Sequence, residues 1–207
     1  MDTSPEIDFF NAPETLDDFI VQAIAPLDAF GAWCKDVNIG TMSARADHLG
    51  YQCGYGSEYD QLFELIESES VFMFQSMIAG RRIVLARFGH ARGLNTSLGE
   101  IGVLEIADQK PDGSKQRGFN HIEIYSPISR DEAVQSVRED NMKSLVRKLN
   151  GEFRDPRFQR LPQFGPSGRK HHPTYDAVIL KRDGEPDFSV RVEPEPILQK
   201  IGRDEFR

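Results

Sequence analysis

The sequence predicts an α+β fold made of two βαβββ modules, preceded by extra N-terminal helices. Three observations carry that expectation. Four short segments alternate polar and apolar residues with a period of two, the signature of half-buried strands. Each of the four carries a His or Glu on the face opposite its apolar row. The order strand, helix, then two or three strands occurs twice along the 207 residues.

The alternation is clearest in Asn120-His121-Ile122-Glu123-Ile124-Tyr125, where Ile122 and Ile124 share one face and His121, Glu123 and Tyr125 the other. Residues 46–53 set Leu49, Tyr51 and Cys53 against His48, Gly50 and Gln52. Residues 101–106 set Leu104 and Ile106 against Glu105, and residues 188–193 set Phe188, Val190 and Val192 against Ser189, Arg191 and Glu193. A register slip of one residue would turn every apolar row to the other face, so the facing is strongly specified. His48, Glu105, His121 and Glu193 then form a set of two imidazoles and two carboxylates. That set suits a borderline divalent metal: Zn, Ni, Co, Mn or Fe.

The remaining elements follow in order. Residues 1–14 read as a loose segment. Thr15 caps a helix carrying Phe19, Ile20, Ala23, Ile24, Leu27, Phe30 and Trp33, which Pro26 kinks or splits. Ser57 opens a short helix burying Leu62, Phe63, Leu65 and Ile66. Val71–Met77 and Arg82–Phe88 read as a hairpin turning at Ala79-Gly80, followed by a loop from Gly89 to Thr96. Asp108–Gly118 is a polar linker. In the second half, Ser129 and Glu132 form a capping box for a helix through Val134, Val137, Leu145, Val146 and Leu149, stopped at Gly151. Strands near Tyr175–Lys181 and Asp187–Glu193 follow, then Pro194 and Pro196, then a short helix. Module one spans about 44–107 and module two about 118–194, within one domain over 15–200. A C-terminal tail covers 201–207.

Composition narrows the function classes. The formal net charge is −8 and no Lys/Arg-rich run exists, which argues against nucleic acid or an anionic membrane surface as partner. No apolar run approaches the roughly 18 residues of a spanning helix, and the acidic N-terminus lacks the pattern of a secretory signal. Cys34 and Cys53 read as reduced thiols of a cytoplasmic protein. The expected partner is a small-molecule substrate, with the chain a monomer or homodimer.

The order of elements and ligands resembles the vicinal oxygen chelate superfamily, which includes glyoxalase I, extradiol dioxygenases, epimerases and fosfomycin-resistance proteins. Within it, the chain is most similar to the YecM family, proteins expected to bind metal. The segments that carry this are Ala46-Asp47-His48, Met77-Ile78-Ala79-Gly80-Arg81-Arg82-Ile83, Gly118-Phe119-Asn120-His121-Ile122-Glu123-Ile124 and Val192-Glu193-Pro194. The resemblance implies a curved mixed sheet around a metal-binding cavity, with His48, Glu105, His121 and Glu193 as ligands. It implies no single reaction, because one fold hosts many.

The expected activity is metal-dependent isomerase or lyase chemistry on a substrate with two adjacent oxygens, through an oxyanion stabilised by the metal. Glu123 and Glu193 are the candidate proton carriers. Gln52, Tyr125 and Arg191 are the candidate substrate contacts, and pairing of Arg191 with Glu123 is an equal alternative. The other readings are a non-catalytic metal- or small-molecule-binding protein and an iron-dependent dioxygenase. His171-His172, in a Gly/Pro-rich basic stretch, reads as part of a surface loop.

Overall fold

The computed structural model describes residues 13–78, 80–89, 92–110, 112, 117–126, 144–145, 158–160, 176–180, 188–193 and 195–204. The chain opens with α1 (Leu16–Ile20), a 3₁₀ turn (Val21–Ala23) and α2 (Ile24–Asp36). Thr15 caps α1 by accepting from the Asp18 N–H at 3.1 Å. The helix breaks just before Pro26, whose missing N–H cannot serve the carbonyl one turn earlier. Phe19, Ala23, Phe30 and Trp33 are buried as expected, whereas Ile24 is 54% exposed and lies off the core stripe.

The strands are β1 (Arg45–Gln52), β2 (Ser70–Ile78), β3 (Arg81–Phe88), β4 (Leu94–Thr96), β5 (Gly99–Ile101), β6 (Val103–Ala107), β7 (Gly118–Tyr125), β8 (Phe158–Arg160), β9 (Asp176–Leu180) and β10 (Phe188–Glu193). Helix α3 (Gly56–Glu67) connects β1 to β2, and α4 (Ile197–Asp204) follows β10. Eight strands form one curved, open mixed sheet in the order β2-β3-β6-β1-β7-β10-β9-β8. Each half has the same pattern. The first strand of a module pairs in parallel with its last, β1 with β6 and β7 with β10. The two first strands, β1 and β7, pair antiparallel at the centre.

Two details depart from expectation. The segment read as a loop through Thr96 holds β4, which pairs with β5 in a small separate hairpin. The expected strand over 101–106 is therefore interrupted at Gly102 and divided between β5 and β6. The helix expected from Ser129 lies outside the described residues except for Ser144 and Leu145, which are helical. His171 and His172 also lie outside them.

One face of the sheet carries the core. Leu49, Leu104, Ile106, Ile122, Ile124, Val190 and Val192 are at most 1% exposed, and helices α1, α2 and α3 bury Phe19, Phe30, Trp33, Leu62 and Ile66 in the same cluster. Phe19 packs edge-on against Tyr51 with ring centroids 4.8 Å apart, and Phe119 closes the triad at 5.0 Å from Tyr51. Below it, the Glu58 carboxylate is fully buried and accepts from the Tyr51 hydroxyl at 2.6 Å, the Gly54 N–H at 2.7 Å and Arg117 Nε at 2.8 Å. That network ties α3 to the ends of β1 and β7. With one face filled by helices, the polar row of every strand is left for the other.

Candidate metal centre

The central pairing of β1 with β7 is irregular in two places, and both irregularities shape the site. Ala46 opposes Ile124 and Leu49 opposes Ile122, so Asp47 and His48 together face Glu123. Gly50 opposes His121 and Tyr51 opposes Phe119, so Asn120 is the extra residue on β7. A bulge of this kind re-aims side chains and lets two consecutive residues address one face. Each bulge here ends in a histidine.

The residue before each histidine takes its Nδ1. Asp47 Oδ2 lies 2.9 Å from His48 Nδ1, and Asn120 Oδ1 lies 2.6 Å from His121 Nδ1. With Nδ1–H donated sideways, Nε2 is the atom each ring offers to the site. The Nε2 atoms point at the two oxygens of one carboxylate. His48 Nε2 is 3.8 Å from Glu105 Oε2, and His121 Nε2 is 3.8 Å from Glu105 Oε1. The two rings stand nearly perpendicular, with centroids 5.6 Å apart. His48 is fully buried, and its Nε2 has no hydrogen-bond partner among the described residues.

Gly50 makes this convergence possible. It sits in register between Glu105 on β6 and His121 on β7. A Cβ at Gly50 would fall 1.9 Å from His121 Cε1 and 2.3 Å from Nδ1. The imidazole therefore lies across the bare backbone, and any other residue would expel it.

Burial on its own would lower the His48 pKa, but the carboxylates of Glu123, Asp47 and Glu105 outweigh it and push the pKa up to about 9. Those carboxylates favour positive charge at this position. A divalent cation would fill the same role. His48, Glu105 and His121 form a buried donor group whose ligand atoms lie within 4.8 Å of one another, and it could bind a metal. The 3.8 Å separations leave room for an ion with bonds of about 2.0–2.2 Å to nitrogen and oxygen. Asp47, His48 and Glu123 form a second such group on the far side of the His48 ring, with Glu123 Oε2 3.8 Å from Nδ1.

The other expected site residues share this face in different settings. Glu123 is 7% exposed, and Arg191 Nη1 lies 3.6 Å from its Oε1. Glu193 is buried and in register with Tyr125, two residues beyond the Arg191–Glu123 pair, and belongs to neither donor group. Burial raises the Tyr125 pKa, with Asp47 adding to the shift and Arg45 opposing it. Gln52 is engaged by the scaffold. Its Nε2 donates to the carbonyls of Cys53, Ala107 and Asp108 at 3.1, 3.2 and 2.7 Å, and its Oε1 accepts from Arg81 Nη1 at 2.5 Å. Asp47, Asn120, Gly50 and Arg81 were not singled out by the sequence. The available signal was that an Asx residue precedes each histidine.

The family model described as "YecM protein" matches residues 22–162. The chain belongs to the YecM family. A solved structure titled "Structural Genomics, Protein EC4020" is similar in fold, with a TM-score of 0.59 at 16% identity over 91% of this chain and 92% of the other. No curated protein matches the chain.

Proposed function

We propose that this YecM-family protein is a divalent-metal-dependent enzyme that moves a proton on a small substrate carrying two adjacent oxygens. The observation that carries the reading is the convergence of both histidine Nε2 atoms on the two oxygens of Glu105, with each Nδ1 held by its own Asx neighbour. His48, Glu105 and His121 would hold the ion. Three protein donors is the number catalytic zinc sites use, whereas structural sites close with four. When bound, the metal would supply Lewis-acid stabilisation of charge developing on a substrate oxygen.

The protein's own groups supply the rest. Glu123 lies beside His48 on the cavity face and is the candidate proton carrier. Arg191 lies beside its carboxylate on the neighbouring strand, 3.6 Å away. Tyr125, also on β7, lies on the same face, able to orient a polar substrate. The described helices include none long and apolar enough to cross a membrane. The unbridged thiols of Cys34 and Cys53 support a reducing, cytoplasmic setting.

The test is exchange of the carbon-bound protons of dihydroxyacetone with D₂O, followed by NMR on protein loaded with zinc, cobalt or manganese. Wild type is expected to catalyse exchange. Glu123→Gln is expected to slow it by about 100-fold, the usual scale of a positioned base, with metal content retained. Metal binding without exchange by wild type would favour the non-catalytic metal-binding reading. A second reading has its own support, because two histidines and one carboxylate is also the donor set of non-haem iron oxygenases. Oxygen consumption by the iron-loaded protein with a catechol would favour it.

A further inference from the structure

Of the sheet arginines Arg81, Arg82 and Arg191, two are neutralised by carboxylates. Arg191 pairs with Glu123. Arg82 Nε contacts Asp108 Oδ2 at 2.7 Å, its Nη1 pairs with Asp60, and its guanidinium lies 4.3 Å over the Tyr59 ring. Arg81, the adjacent residue on β3, points to the opposite face and is treated differently. It forms no ion pair among the described residues. Among the described residues its one hydrogen bond goes to a neutral amide oxygen, Gln52 Oε1, and its buried Nε has no hydrogen-bond partner.

A partly buried guanidinium with no counter-charge in contact is costly, and a fold that needed only packing there would carry an apolar side chain. Burial lowers the Arg81 pKa from its usual value, with the nearby charge of Glu105 opposing the shift. The group is also rigidly held. Gln52 is pinned by three backbone carbonyls, so its oxygen fixes the direction of the guanidinium. Arg81 shares its face with Leu85, which pairs with Glu105, and its anchor Gln52 is two residues along β1 from Gly50. Gln52 therefore lies about 7 Å, one pleat, from the row that holds Glu105 and His121.

We propose that Arg81 anchors an anionic group of the substrate, so that the site takes small organic acids with a carboxylate a few bonds from the two oxygens addressed to the metal. The proposal rests on the metal-site reading above for the position of those oxygens. It identifies Arg81 as the specificity-determining residue, because a guanidinium fork and a carboxylate make two parallel charge-assisted hydrogen bonds. A substrate without the carboxylate would leave the guanidinium fork with no carboxylate in contact, as it is among the described residues.

The probes are malate and lactate, which present the same hydroxyl and neighbouring carboxylate but differ in a second carboxylate. Binding to the cobalt-loaded full chain is measured by calorimetry, with cobalt content determined for each variant. Wild type is expected to bind malate at least about tenfold more tightly than lactate. Arg81→Gln should abolish that preference and leave lactate affinity and cobalt content unchanged. Arg81→Lys, which keeps the charge but not the fork, should recover part of it. Arg82→Gln should lower the melting temperature and keep the malate-to-lactate ratio. No preference in wild type, or an unchanged preference in Arg81→Gln or Arg81→Lys, overturns the proposal. If the chain takes up no cobalt, the metal reading has failed, and Arg81 is tested alone by succinate binding to the metal-free protein at low salt. Succinate binding that is lost in Arg81→Gln then supports an anion site, and equal or absent binding in both overturns it.

Discussion

The two halves of the sheet use the same backbone plan with different chemistry. His48 on β1 and His121 on β7 each end a bulge, and each gives its Nδ1 to the preceding residue. The equivalence extends one strand outward. Two residues after His48, Gly50 pairs with Glu105; two residues after His121, Glu123 pairs with Arg191. Module one thus places a carboxylate where module two places a guanidinium, and a glycine where module two places Glu123. The carboxylate of module one reaches across the empty glycine position to both histidines. The guanidinium of module two reaches Glu123 instead. A near-symmetric scaffold therefore holds two different groups, with the candidate metal ligands gathered around Glu105 and a candidate proton carrier beside Arg191.

Removing the asymmetry at Gly50 should have the largest effect. Gly50→Ala sets a methyl group inside the His121 ring, so metal affinity is expected to fall by more than about 100-fold and stability by about 1–3 kcal/mol. Elemental analysis and thermal melting would check both. Retained affinity would mean that His121 is not a ligand. Glu105→Gln should also remove most metal affinity, since one carboxylate faces both imidazoles, whereas Glu123→Gln should leave most of it. Equal metal loss in the two variants would move the site toward the group of Asp47, His48 and Glu123.

Because the His48 pKa is pushed up to about 9, metal must displace a proton from it at neutral pH. Affinity should therefore rise steadily from about pH 6.5 toward pH 9. Stability of the metal-free protein has the opposite sign. A group whose pKa is raised on folding contributes fully below its unfolded value near 6.5, and that contribution is lost as pH rises through about 9. Melting temperatures of the metal-free chain that rise over this window would contradict the burial of a charged His48.

The smallest expected differences are between the two Asx residues. Replacing either Asp47 or Asn120 by Ala should weaken metal affinity about 10- to 100-fold, as loss of an imidazole's orienting partner does. Asp47→Ala should in addition destabilise the chain by about 1 kcal/mol, because Asp47 Oδ2 also accepts the Ile197 N–H at 2.9 Å, at the start of α4. The Asn120 side chain has no such second bond among the described residues, so denaturant melts of the two variants should differ.

The sequence by itself determined the faces. Period-two alternation is a local consequence of strand sterics, so Ile122 and Ile124 go to the core and His121 and Glu123 to the opposite face whatever their partners. It also set the Thr15 cap and the break near Pro26, since both depend on hydrogen bonds within a single turn. Which polar residues meet depends instead on the pairing of distant strands. Cross-strand register placed Glu105 beside Gly50, put Arg191 rather than Glu193 at the position equivalent to Glu105, and added the bulges at Asp47-His48 and Asn120-His121. It also spent Gln52 on the backbone and on Arg81, where alternation had offered it to a substrate. The reason is physical. A side chain's face is set by its own φ and ψ, but its neighbours are set by a second strand distant in sequence, whose pairing no local pattern encodes.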